Sequence, residues 1–94
     1  MGERRTWTEK LHRQMEKSLE PVPGLPLVEI AGQRRVLIEN HRGVSCYGAE
    51  QIRVRVKYGE ISVSGTGLEL ARMTGQQLVI TGNIHCVHLM GGGL

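Results

Sequence analysis

A chain of 94 residues with one Trp, two Tyr and no Phe makes one small domain whose core is Val, Ile and Leu, with Met as filler. That composition weighs against a deep aromatic-lined pocket for a planar cofactor. The net charge of +3 is spread over both ends of the chain and reads as solubility, with an anionic partner as the minor option.

The opening Met-Gly-Glu-Arg-Arg precedes an amphipathic stretch, so no leader is expected. Residues 6–19 carry a helix pattern. Thr6 and Glu9 fit a capping box, and Trp7, Leu11, Met15 and Leu19 recur every four residues along one stripe. A lone helix of this length is marginal in water, so it needs a surface to pack on. Docking on the chain's own sheet is the expectation. The alternative is a partner-binding or interfacial helix anchored by Trp7. Prolines at 21, 23 and 26 stop the helix and make a short linker over 21–26.

From Leu27 the hydrophobic period changes to two. Strands are expected near 27–30, 35–40, 44–47, 51–58, 60–64, 68–72, 77–81 and 84–90, closed by glycines. No gap is long enough for a crossover helix, so the sheet is expected to be an antiparallel β-meander, as a sandwich or roll. Lys57-Tyr58-Gly59-Glu60 reads as the tightest turn, with Gly59 at positive φ. Ile52, Val54 and Val56 face one way, with Ile61, Val63, Leu68, Leu70, Leu78 and Ile80 continuing that face. Ile84, Val87 and Leu89 break strict alternation, and the odd step from Ile84 to Val87 predicts a β-bulge near His85 and Cys86. Residues 59–65 are faintly echoed by 77–82, which keeps a short β-solenoid as the alternative architecture. The organisation is thus a helix in 1–20, a linker in 21–26, a β domain in 27–90 and a flexible tail in 91–94.

Candidate chemistry is sparse. His85-Cys86-x-His88, with Cys46 and His41, is the best ligand set for a metal, but no CxxC or HxxxH pair supports it. No nucleophile, base and oriented third group occur together, and no phosphate loop is present, so neither an enzyme nor a cofactor is expected. Two cysteines are too few to staple a secreted miniprotein, and no window of 18 apolar residues occurs, so a reduced cytoplasmic setting without a transmembrane segment is expected. Arg53, Arg55 and Lys57 form a basic row on one strand face. It reads first as a solvated face and second as an anion- or nucleic-acid-binding surface; nucleic acid is disfavoured because no aromatics interleave with the row.

The run 37–44, Leu-Ile-Glu-Asn-His-Arg-Gly-Val, followed by 51–56, 59–65 and 78–84, resembles the YabP/YqfC family of sporulation proteins of endospore-forming bacteria. The resemblance spans roughly residues 25–89, and Ile-Glu-Asn-His-Arg-Gly is its most specific part. It implies a non-enzymatic protein of the mother cell, peripheral to the developing spore envelope, acting in spore development or coat assembly through protein contacts. It also implies a YqfD-like sporulation membrane protein as partner, and a homo-oligomer is compatible with it. Candidate interaction residues are Trp7, His41, Arg42, Arg53, Arg55 and Lys57, with residues 41–43 as the loop whose chemistry matters.

Overall fold

The computed structural model describes residues 23–91; Trp7, the expected helix of residues 1–20 and residues 92–94 lie outside the described residues. Six strands form one sheet: β1 (Leu27–Ala31), β2 (Arg35–Glu39), β3 (Val44–Tyr47), β4 (Gln51–Val56), β5 (Gly59–Met73) and β6 (Gln77–Gly91). All neighbours are antiparallel, in the order β1-β2-β6-β5-β4-β3. The meander therefore holds from β3 to β6 and is broken between β2 and β3. β2 pairs with the start of β6, Ile38 opposite Leu78 and Val36 opposite Ile80, and the chain then crosses to the far edge. Gly91, the last described residue, lies in β6 opposite Gly59.

Two pairs of expected strands are single long ones. The segments 60–64 and 68–72 fuse into β5, and 77–81 and 84–90 fuse into β6. The glycines between them bend the strands instead of ending them. Gly67 has φ 61° and Gly82 has φ 140°. A Cβ on Gly82 would lie 2.6 Å from the Gly67 carbonyl oxygen, and one on Gly65 would run into the Asn83 carbonyl. The register shifts here, and His85 is the extra residue between the pairs Ser64–Cys86 and Gly65–Ile84. The β-bulge expected at His85 and Cys86 is thus observed.

The bend folds the sheet over into two layers. One holds β1, β2, residues 77–81 of β6 and 69–73 of β5. The other holds β3, β4, residues 59–64 of β5 and 84–91 of β6. Val36, Ile38, Leu78 and Ile80 of the first layer join Ile52, Val54, Ile61 and Val63 of the second in one core cluster, each at most 1% exposed. Burying each such side chain contributes about 1.5–3 kcal/mol. Strands that change layer at bulges make the corners of such folded sheets. Both hairpin tips seal this corner: Gly82 and Ile84 donate to the Arg34 and Gln33 carbonyls at 3.2 and 2.8 Å, and Gly65 and Leu68 donate to Glu50 and Ala49 at 3.1 and 2.8 Å.

This arrangement gives the internal echo its meaning. Residues 59–64 receive the β3–β4 hairpin and 77–81 receive the β1–β2 hairpin, and each then reaches a glycine corner. The two copies are the two halves of a folded hairpin and not turns of a solenoid. Leu89 faces the same side as its partner Ile61 but is 68% exposed, because among the described residues β6 is the free edge of its layer there. At the 57–58 turn Gly59 has positive φ as expected, 157°, and so does Tyr58, at 71°; a Cβ on Gly59 would also strike the Met90 carbonyl.

Candidate interaction site

The run 38–43 is the joint between the layers. Ile38 is in the core. The Glu39 carboxylate accepts from Gln77 Nε2 at 3.0 Å. Asn40 ends β2 in the left-handed region, φ 64°, which asparagine tolerates better than most residues. Its N–H donates to the Gln76 carbonyl at 2.6 Å, and its side-chain amide donates to the Leu25 carbonyl at 2.8 Å. Gly43, at φ 105°, turns the chain into β3.

His41 is buried between these turns. Its Nδ1 accepts from the Gly43 N–H at 3.0 Å, and its Nε2 lies 2.8 Å from the Thr74 carbonyl oxygen. A backbone N–H can only donate and a carbonyl can only accept. The ring is therefore the neutral tautomer with its proton on Nε2. Thr74 is itself fixed, since its hydroxyl accepts from the Gln76 and Gln77 amides at 3.3 and 3.0 Å. One imidazole thus ties the crossover to the tip of the β5–β6 hairpin. Both ring nitrogens are engaged, so His41 is not free to act as a ligand or a base in this conformation.

Arg42 differs. Its backbone N–H donates to the Arg55 carbonyl at 2.7 Å, and Arg55 donates to the Gly43 carbonyl at 2.8 Å, while both side chains are exposed. Two guanidinium groups therefore sit on hydrogen-bonded neighbouring segments. The other members of the basic row are occupied within the fold. Arg53 Nη2 lies 3.7 Å from Met90 Sδ, and its Nε is 3.8 Å from a Glu60 oxygen. That separation is an ion-pair contact, too long for a hydrogen bond, and the buried Nε has no hydrogen-bond partner. Lys57 donates to the Pro23 carbonyl at 2.8 Å, with its ammonium 5.4 Å from the Tyr58 ring centroid. It anchors the linker to the sheet. The row of three cations reduces to Arg55, joined by Arg42 from the crossover.

The other expected ligands do not converge. Cys46 on β3 and Cys86 on β6 are free and exposed, with β4 and β5 between their strands. Among the described residues, no group of three or more His, Cys, Asp or Glu side chains could hold a metal. Among the same residues, no helix is long and apolar enough to cross a membrane. Sequence reading missed Thr74 as the partner of His41. It also missed Tyr47, whose hydroxyl accepts from the Leu70 N–H at 3.4 Å. A threonine three residues before the paired Gln77 is a turn signal that could have marked the first; nothing local marks the second.

A family model described as the YabP family matches residues 26–93. The chain belongs to the YabP family. It is also similar to "Uncharacterized protein YqfC" of Bacillus subtilis (strain 168), with 26% identity over 88 residues, covering 93% of this chain and 95% of that protein. No solved structure matches. The family match begins at Pro26, directly after the Leu25 carbonyl that Asn40 holds, and takes in all six strands. The unit shared with the family is the folded two-layer sheet with its crossover joint.

Proposed function

We propose that this protein is a non-enzymatic protein of spore development, acting in the mother cell in coat or envelope assembly by holding a protein partner. YabP family membership and the likeness to YqfC support the sporulation setting. The observation that carries the contact mode is the pair Arg42 and Arg55: two exposed guanidinium groups, one on the crossover and one on β4, on segments joined by backbone hydrogen bonds. Such a pair suits an acidic segment, because guanidinium forks bind carboxylates in a bidentate manner. A YqfD-like sporulation membrane protein is the first partner to try.

The test is made in sporulating cells, with heat-resistant spores counted and partners captured on the tagged protein. Deletion is expected to lower the spore count; wild-type counts would refute the sporulation role. Arg42→Gln with Arg55→Gln is expected to keep the fold and lose the partner. Capture of the same partner at wild-type yield by the double variant would refute this contact surface. Raising the salt separates this from contact through apolar surface, since the arginine pair loses affinity as charge is screened.

A further inference from the structure

The folded sheet leaves long strand edges, and the fold guards them unequally. The outer edge of β5 beyond the corner carries Glu69 and Arg72 and a further register shift at Ala71; its Leu68 and Leu70 amides are taken by Ala49 and the Tyr47 hydroxyl. β3 has four residues and a register shift, and β1 carries Glu29 and follows Pro26. Charge, irregularity, shortness and proline are the usual devices that stop strands from pairing with another chain. β6 from His85 to Gly91 has none of them after the bulge at His85. It reads His-Cys-Val-His-Leu-Met-Gly, without an acid, a Lys or Arg, or a proline, and among the described residues it pairs on one side only, with β5.

We infer that this edge is a self-association site, and that two copies of the chain pair β6 to β6, antiparallel, about a two-fold axis at His88. The apolar pattern of the edge gives the register. The described part of the free edge runs from His85, next to Ile84 whose amide is taken by the Gln33 carbonyl, to Gly91, the last described residue. The full overlap of two antiparallel copies of 85–91 centres on the middle residue, His88. That register also sets Val87 opposite Leu89 of the second copy, twice. It covers the exposed Leu89 with an apolar neighbour on the face that continues into the core. Cys86 falls opposite Met90, and no Asp, Glu, Lys or Arg is placed opposite another. A pairing about a two-fold axis is self-complementary and closes at two copies, so the edge is consumed without seeding a fibre.

The full-length chain tests this on its own, independently of any sporulation partner, so its failure and that of the proposed function are distinguishable. Light scattering should give twice the monomer mass. In a Cys46→Ser, Cys86→Ser background, His88→Cys should form an intermolecular disulfide on mild oxidation, because residues directly opposite in an antiparallel pair are about 4.5–5.5 Å apart at Cα, within disulfide reach. Cys86 alone, in Cys46→Ser, should not, since the four-residue offset separates the two thiols by about 13 Å. Leu89→Lys removes an exposed side chain, keeps the fold, and should weaken dimerisation about tenfold or more. A monomer at all concentrations, with the edge left free or covered by residues 1–22 of the same chain, overturns the inference. So does a dimer that crosslinks faster through Cys86 than through the thiol introduced by His88→Cys.

Discussion

Replacing His41 by alanine tests the joint directly. The ring makes two hydrogen bonds, one to the Gly43 amide at 3.0 Å and one to the Thr74 carbonyl at 2.8 Å. Each such bond contributes about 0.5–1.5 kcal/mol net, so the pair is worth about 1–3 kcal/mol. A domain of this size has about 5–14 kcal/mol in total, so the loss is a sizeable share of it. A midpoint shift of roughly 4–8 °C should accompany each kcal/mol. Urea unfolding followed by circular dichroism gives the stability change, and amide exchange at Gly43 gives the local one. Arg42→Ala is the neighbouring control, expected within about 0.5 kcal/mol because its side chain is exposed. The reasoning fails if His41→Ala matches wild type in midpoint and the Gly43 amide stays protected. The crossover would then be held by its backbone bonds to Gln76 and Arg55 alone.

The glycine corner, like Gly59, should be among the least tolerant glycine sites. Gly65→Ala and Gly82→Ala each put a Cβ into backbone across the hairpin and should cost about 2–4 kcal/mol, whereas Gly75→Ala, with open space around it, should stay within about 0.5 kcal/mol by thermal melt. Ile38→Ala removes a fully buried side chain and should cost about 2–5 kcal/mol in urea unfolding. Cys46→Ser with Cys86→Ser should change stability by less than about 0.5 kcal/mol, because both thiols are exposed and unpaired with each other. Addition of a chelator should leave the melting midpoint of wild type unmoved, the described residues having no ligand cluster for it to strip.

The alternation of apolar and polar residues made the strands and their buried faces legible. Ile52, Val54 and Val56 go inward because a strand has a period of two, and no tertiary contact overrides that. The odd step from Ile84 to Val87 gave away the bulge for the same reason. The glycines were legible as punctuation but not as to kind. Gly65, Gly67 and Gly82 look like strand ends in sequence, and only the approach of one backbone to another shows that they are bends. The β2–β6 pairing was not legible, since hairpin signals are local and this contact joins residues about forty apart in the chain. In the basic row, alternation fixed the face and said nothing of reach. Lys57 is held by Pro23, and Arg53 lies against Met90 and Glu60, through tertiary contacts with no sequence signature.

The run 38–43 was the most specific clue to family, and the structure gives it a meaning different from a binding motif. Ile38, Glu39, Asn40, His41 and Gly43 are all accounted for by the joint: core packing, a tie to Gln77, two left-handed or near-left-handed turns, and the imidazole link to Thr74. Only the Arg42 side chain is left over. A chain that shares this run therefore inherits a way of crossing between layers and not a choice of partner. As proposed above, partner choice falls to Arg42 and Arg55 on the joint and to the β6 edge that the described residues leave unguarded. Changing the joint should act on every interaction at once through stability. Changing Arg42 with Arg55, or Leu89, should remove one contact and leave the melting midpoint in place. Loss of both contacts together in either of those variants, without a drop in midpoint, would show that the two surfaces are one.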